Sequence, residues 1–334
     1  MTASTMPNVR RLLSGCLPED IDIFLPRAAG EWFRGFYRND PLIEAGHLHK
    51  RLIAQSGAEA LIEQRDNNGL QALAVLERLN WDSEHFGLEV HRVSTVLVDI
   101  YLSASDRRDT FEAMHRAVLD AARSCGARLL LRRLRSNRLD EIRVLEALGY
   151  RLADNVVTMT TTPVAQSVSL PAGITVRPLS IIDVPIAQSL MAGSFSLSRF
   201  CLEPALAARG EAVYTQWLTN AFSDPLHPPL GRVVECDGQF AGFTLWTRDA
   251  NVDIDVGCAL ASLDLFIVGE HWRRRGVGTA LLTDTLREMS EAGAEKVEAS
   301  TWIGQTAAMA TYQKIGFMVR ENLLSFYLDL EKTA

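Results

Sequence analysis

The chain has 334 residues, of which 47% are hydrophobic and 22% are charged, and its formal net charge at pH 7 is −7. This length predicts two domains of about 150 residues each, with the composition of a folded globular protein rather than a disordered or fibrous one. The net negative charge argues against nucleic acid as the main partner, and no run of about 18 apolar residues predicts a membrane-spanning helix.

The N-terminal region gives little functional information. The first 11 residues lack the apolar segment of a secretory signal, and the five cysteines are widely spaced without a CxxC pair. We therefore expect a cytoplasmic protein with reduced thiols, and no metal site, because His47 and His49 have no third ligand at metal spacing. Residues 1 to about 50 are expected to form a helical extension whose aromatic residues pack or form an interface, namely Trp32, Phe33, Phe36 and Tyr37.

A first set of elements follows this extension. The turn at 66–69, Asp-Asn-Asn-Gly, lies between two apolar runs and predicts a β-hairpin. The hairpin strands are expected at 58–65 and 70–79, followed by a strand at 93–99, a helix at 110–124, a strand at 128–134, a helix at 139–148 and a strand at 155–161.

The same order of elements recurs after a Pro-, Ser- and Thr-rich connector at 161–173. The second set comprises a hairpin of 232–236 with 240–247, a strand at 263–268, a helix at 277–292, a strand at 296–302, a helix at 306–315 and a strand at 323–330. Gly149-Tyr150 aligns with Gly316-Phe317 at an offset of 167 residues, half the chain. We interpret this as a duplication. It predicts an α/β fold of two halves, 1–160 and 174–334, each with a mixed sheet flanked by helices.

A basic turn in the second half is the strongest candidate for a ligand site. The strand at 263–268 leads into the sequence Arg-Arg-Arg-Gly-Val-Gly at 273–278, which opens a helix. The first amides of a helix lack intrahelical acceptors and carry positive potential, and glycines allow close backbone approach. The pattern therefore predicts a pyrophosphate site, although a solvated helix start is the alternative. The spacing fits neither GxxxxGK[ST] nor the dinucleotide-binding GxGxxG.

The first half offers an internal comparison. At the same offset, Arg273, Gly276 and Gly278 correspond to Asp106, Asp109 and Phe111. Two carboxylates and a bulky ring oppose a bound polyphosphate. We therefore expect the first half to be a non-binding, degenerate copy.

Two segments of the second half resemble the GNAT acyl-CoA N-acyltransferase superfamily. In that family a strand ending in Val leads into [R/Q]-x-x-G-x-[G/A], here Val268 followed by 273–278. The segment 305–317 matches the second family motif at Ala308, Tyr312, Gly316 and Phe317, with Gln305 in place of the usual Asn.

The resemblance implies an acetyl-CoA-dependent N-acetyltransferase with 174–334 as the catalytic domain. Tyr312 would be the general acid for the leaving thiolate, and acetyl-CoA would be a co-substrate. The implied acetyl-CoA contacts are Phe266, Ile267, Val268, Arg273, Arg274, Arg275, Gly276, Val277, Gly278, Thr279 and Gln305. Asp255, Asp264 and Glu298 lie near the predicted cleft, where a structural or solvated role is favoured over that of general base.

The acceptor is less determined. Segments 81–87, 198–200 and 217–220 resemble the branch of the superfamily that acetylates the 4-amine of dTDP-4-amino-4,6-dideoxy sugars, although Cys201 stands where that branch has His. A small amine acceptor, a dTDP-amino sugar first, is therefore expected. An aminoglycoside, a polyamine, a protein amine and a non-catalytic acyl-CoA-binding module are the alternatives. We expect no nucleic-acid or membrane partner, and edge strands would allow a homodimer.

Overall fold

The computed structural model describes residues 8–12, 16–28, 41–55, 58–164, 170–223, 230–249, 253 and 257–332. The predicted aromatic cluster at 32–37 and Asp255 lie outside this part of the chain. The chain divides into a first unit, Met1–Asp154 with Leu323–Ala334, and a second unit, Asn155–Asn322.

Six strands in the described part of the first unit form a mixed sheet. Its strands are, in spatial order, β1 (Asn8–Arg11), β2 (Ala60–Asp66), β3 (Gly69–Arg78), β4 (Val90–Val98), β5 (Leu129–Arg135) and the end of β12 (Met318–Asp329). The β4–β5 pair is parallel and the other pairs are antiparallel. The described helices of this unit are α1 (Ile21–Ala28), α2 (Pro41–Ala54), α3 (Asn80–Phe86), α4 (Ala104–Ser124) and α5 (Leu139–Ala147).

The central strands of this sheet are buried on both faces. On β3, Leu73 and Val75 share a core with α1 and α2, whereas Ala72, Ala74 and Leu76 share a core with α4. Successive side chains of a strand point to opposite faces, so a continuous apolar run is expected where helices cover both. The three-layer arrangement thus follows from the composition of this strand.

The second unit repeats this plan. Its sheet has the order β6 (Arg151–Thr161, from residue 155), β11 (Lys296–Trp302), β10 (Leu260–Val268), β9 (Gln239–Arg248), β8 (Arg232–Cys236) and β7 (Ile174–Pro178). Its described helices are α6 (Val184–Met191), α7 (Arg199–Leu202), α8 (Ala212–Ala221), α9 (Val277–Glu291) and α10 (Thr306–Lys314). The predicted mixed α/β fold is confirmed for both units.

The last strand of each repeat belongs to the sheet of the other unit. Residues 156–161 of β6 pair with β11, and residues 323–329 of β12 pair with β5. The sequence repeat places residues 155–160 in the first half and 323–334 in the second. In the structure, 155–160 belong to the second unit and 323–334 to the first.

Helix α4 corrects one sequence-based expectation. It begins at Ala104, where Ser103 caps it by accepting a hydrogen bond from the Asp106 amide at 3.2 Å. It has 21 residues and α9 has 15, so the 167-residue offset aligns their C-terminal ends but not their starts. Asp106, Asp109 and Phe111 therefore lie inside a helix, and their residue-by-residue comparison with the basic turn was wrong.

No helix in the described part of the chain is both long and apolar enough to cross a membrane.

Two buried histidines should make the stability of the protein depend on pH. Burial lowers the pKa of both His91 and His115, and neither ring nitrogen of His91 has a hydrogen-bond partner among the described residues. The charges of Glu59, Glu89 and Arg78 act on His91 more weakly than burial does. The pKa of an unfolded histidine is about 6.5, and each of these two histidines has a lower pKa in the folded protein. Above about pH 6.5 the histidine is neutral in both states and the full stability is present. As the pH falls, the unfolded state takes up a proton first, so the free energy of unfolding decreases.

We therefore expect the urea midpoint to fall between about pH 8 and about pH 5.5. His91→Leu should reduce that fall, because it removes a group that must remain uncharged in the fold. The exposed His271→Leu change is the matched control and should leave the fall intact. An identical pH dependence in His91→Leu and the native chain would contradict the assignment.

Candidate active site

Two parallel strands of the second unit stop pairing partway along their length, and we call the space between their unpaired parts the cleft. β10 and β11 are paired from Leu260↔Lys296 to Leu263↔Ala299, and no pairing continues beyond this point among the described residues. The following part of β10, 264–268, pairs with β9 alone, after a bulge between Leu263 and Leu265. The backbone groups of 264–268 that face β11 are therefore offered to a ligand.

The basic turn at the end of this cleft presents a row of backbone amides. None of the amides of residues 274–279 donates a hydrogen bond of normal geometry to a described backbone or side-chain acceptor. Gly276 is the N-cap of α9 with φ 82° and has no side chain to cap the helix. Six successive free amides at a helix N-terminus suit an anion.

The two glycines of the turn serve different physical needs. Gly276 and Arg274 both have positive φ, 82° and 61°, and a Cβ at Gly276 would meet nothing within 4 Å. Gly276 is therefore required by its backbone conformation. A Cβ on Gly278 would lie 3.1 Å from Phe266 Cζ, so this glycine lets the first turn of α9 pack against β10.

The three arginines of the turn lie at the surface. Arg273, Arg274 and Arg275 are exposed, and the Arg273 Nε donates to the Val268 carbonyl at 3.1 Å. The Arg275 guanidinium lies 5.6 Å from the Trp272 ring centroid. These contacts hold two of the three charges beside the free amides.

Tyr312 packs against β10, the strand that leads into the basic turn. It is on α10, 5% exposed, with its ring centroid 5.8 Å from that of Phe266 and 5.3 Å from that of Phe317. Its hydroxyl makes no hydrogen bond to a described residue, and burial raises the pKa of the phenol. Tyr312 therefore stays protonated beyond the range of an ordinary tyrosine. Gln305 is the exposed N-cap residue of α10.

The candidate carboxylates have structural partners. Glu298 on β11 is buried and forms an ion pair with Arg320. Asp264 on β10 accepts a hydrogen bond from Ser262 Oγ at 2.9 Å. These contacts account for both side chains, as the sequence-based interpretation favoured.

Sequence reasoning missed the helices between β7 and β8 as a wall of the site. Phe195 stacks on Tyr214 at 3.8 Å between ring centroids, and Phe200 meets Tyr214 edge-on at 6.1 Å. Phe195 and Tyr214 pack against a core that includes Leu265 and Ile267 of β10. The available signal was the aromatic content of 195–217, which lacks the periodicity of a long helix.

In the first unit, arginine side chains bind the backbone of the strand that corresponds to β10. β4 and β5 also pair over four residues, from Val90↔Leu129 to Val93↔Arg132. At the last of these pairs, Arg132 Nη1 donates to the Val93 carbonyl at 3.2 Å, and beyond it Arg138 Nη2 donates to the Val96 carbonyl at 3.2 Å. These guanidinium groups, rather than the three residues predicted from the offset, separate the first copy from the second.

Part of the second half is similar in sequence to known proteins. Residues 195–317 match the model of the Acetyltransferase (GNAT) family. A segment of 65 residues is 29% identical to N-alpha-acetyltransferase MAK3 of Arabidopsis thaliana. This match covers 20% of the chain and 34% of that protein, so it spans about a third of the relative's length.

Solved structures show the same fold over nearly the whole chain. A GCN5-related N-acetyltransferase from Sphaerobacter thermophilus has a TM-score of 0.62 at 19% identity, and the alignment covers 97% of this chain and 95% of that protein's chain. A tandem GNAT protein from the clavulanic acid biosynthesis pathway has a TM-score of 0.54 at 14% identity, and the alignment covers 97% of this chain and 98% of that protein's chain. The family match is confined to residues 195–317, and these two structures, both under 25% identical to this chain, show the fold alone.

Proposed function

We propose that the second unit is an acyl-CoA-dependent N-acetyltransferase that transfers an acetyl group to the amine of a small acceptor. The observation that carries this proposal is the row of six free amides beside three exposed arginines, at the mouth of a cleft between diverging strands. A non-catalytic binding module would not need the protonated Tyr312 against the same strand.

The residues of the cleft fit acyl-CoA in two places. Amides 274–279 and the adjacent arginines would hold the diphosphate, since anions bind at uncapped helix N-termini. The β11-facing backbone of 264–268 would pair with the amide groups of the pantetheine arm as a neighbouring strand does. Bound acyl-CoA supplies an activated acyl group as a thioester.

The chain's own chemistry lies in positioning and in one proton. The aligned amides and strand backbone would orient the acyl carbonyl toward a neutral acceptor amine for direct attack in a ternary complex. Tyr312 holds a proton on Oη that it would donate to the sulfur as the carbon–sulfur bond breaks, and the proton that the amine nitrogen loses on becoming an amide would restore the phenol. We assign no side chain as general base, because Asp264 and Glu298 have structural partners.

The proposed acceptor is the amine of a nucleotide-linked amino-deoxy sugar. The support for it is the resemblance of 81–87, 198–200 and 217–220 to the branch that acetylates such sugars, and the aromatic cluster of Phe195, Phe200 and Tyr214 beside β10. An aminoglycoside, a polyamine and a protein amine use the same cleft and remain alternatives. A cytoplasmic location and a homodimer stay predictions.

A thiol-release assay should identify the acceptor. Purified protein with acetyl-CoA is tested against dTDP-amino sugars, aminoglycosides, polyamines and peptides with free amines. We expect the highest kcat/KM with a dTDP-4-amino-4,6-dideoxy sugar. A higher value for an aminoglycoside or a polyamine would replace that acceptor and keep the enzyme class.

Arg274→Gly should separate binding from folding. The substitution removes a cationic side chain from the turn, and it relieves a positive φ that costs a non-glycine residue roughly 1–2 kcal/mol. We expect acetyl-CoA affinity to fall about tenfold, typical of a lost charged contact, without loss of the unfolding midpoint. Isothermal titration and thermal unfolding measure the two quantities. Unchanged affinity would place the diphosphate elsewhere.

Tyr312→Phe should keep acetyl-CoA binding and lower kcat about 100-fold, the usual scale of general acid catalysis. Because the pKa of Tyr312 is raised, the native rate should not decline near pH 10, where an ordinary tyrosine ionises. Tyr150→Phe is the matched control, since Tyr150 is also buried and its hydroxyl has no partner among the described residues. An unchanged kcat in Tyr312→Phe would remove it as the acid.

A further inference from the structure

The first unit contains a cationic cleft that the proposed reaction does not use. It has a volume of about 430 Å³ and lies between the first turns of α4, the end of β5 and the start of α5. Four arginines line it, namely Arg107, Arg135, Arg138 and Arg143. The acidic side chains of its lining are Asp140 and Glu141, so the lining carries two more positive than negative charges.

The deeper carboxylate of the cleft is already neutralised. Glu141 is fully buried and forms ion pairs with Arg132 at 2.7 Å and with Arg138 at 3.1 Å. Burial alone would raise the pKa of Glu141, but the charges of these two arginines outweigh it and hold the pKa below its ordinary value. Glu141 therefore fixes the arginines and does not cancel the rest of the lining.

The mouth of the cleft retains positive charge. Asp140 is 3.8 Å from Arg107, and Arg143 is exposed with no ion pair to a described residue. Helix α5 begins at this mouth, and its N-cap, Arg138, makes no side-chain cap. The amides of residues 139–141 donate no hydrogen bond of normal geometry to a described acceptor. Helix amides and guanidinium groups thus meet at one place.

The cleft is preorganised. The Arg138 guanidinium lies 5.4 Å from the Phe111 ring centroid, in addition to its contacts with Glu141 and the Val96 carbonyl. A planar, fixed guanidinium suits phosphate oxygens better than a flexible ammonium group does. The hydrogen bond from Arg138 to the Val96 carbonyl also occupies a β4 backbone group with which a pantetheine arm would have to pair.

We propose that this cleft binds the phosphate or diphosphate group of a small organic phosphate, without catalysis, and that it excludes the pantetheine arm of coenzyme A. The volume exceeds that of a bare phosphate, so part of the organic moiety fits with it. The site belongs to the first unit and does not depend on the proposed acetyl transfer.

The test uses the full chain with Arg273, Arg274 and Arg275 changed to Gln, which removes the side-chain charges of the competing anion site in the second unit and so weakens it. Sodium phosphate and sodium pyrophosphate are titrated by calorimetry, with ³¹P line broadening as a second readout. We expect saturable binding of pyrophosphate that weakens as salt increases. Absence of saturable binding to this variant would overturn the proposal.

Adding Arg143→Gln to this variant should weaken pyrophosphate binding about tenfold, because a charged hydrogen bond is lost. Arg108→Gln is the matched control: Arg108 is an exposed arginine of α4 outside the cleft lining, and its loss should leave the affinity within about twofold. Equal effects of the two changes would indicate nonspecific attraction and overturn the site.

Coenzyme A and 3′-phospho-ADP show whether the cleft of the first unit accepts a diphosphate that carries a pantetheine arm or only one that lacks it. They share the phosphates and differ by the pantetheine arm, so we expect equal affinity of the first unit for both. Tighter binding of coenzyme A, lost in Arg143→Gln, would show that the arm enters and would overturn the exclusion.

Discussion

The separation of two parallel strands after four residue pairs is the constraint on which each unit depends. It leaves one side of a central strand without hydrogen-bond partners, and buried backbone groups without partners are costly. Some other group must therefore satisfy that backbone. In the first unit, Arg132 and Arg138 do so from within the chain. In the second unit the cleft stays open beside the basic turn, which is where we place acyl-CoA.

Both units have the same separation of two parallel strands, but they place their arginines differently around it. In the first unit the buried Glu141 holds Arg132 of β5 and Arg138 at the N-cap of α5, and helix α4 is capped by Ser103. The second unit carries its cations on a surface turn, with an uncapped helix start at Gly276. Buried, paired arginines rigidify a fold, whereas exposed arginines beside free amides are available to a ligand. This contrast, rather than the number of charges, separates the expected roles of the units.

Local sequence signals predicted the elements around the candidate site well. The strand and helix flanking the turn at 273–278 were predicted within a few residues, because apolar periodicity and the paired glycines are local properties. The helices at 184–221 were not predicted, since they are short and their apolar positions follow packing against β9 and β10. The start of α4 was missed because a serine cap gives a weak signal beside a charged first turn.

The sequence by itself determined the mixed α/β fold, the repeated order of elements, and the position of the basic turn between a strand and a helix, because each element depends on spacing between residues close in the chain. Only the tertiary structure decided which unit each final strand joins, since strand pairing over 192 residues, as between Arg133 and Ser325, leaves no local pattern. It also decided that Gly278 makes room for Phe266 and that arginines fill the first cleft. Those facts depend on distances between side chains far apart in sequence, which periodicity does not encode.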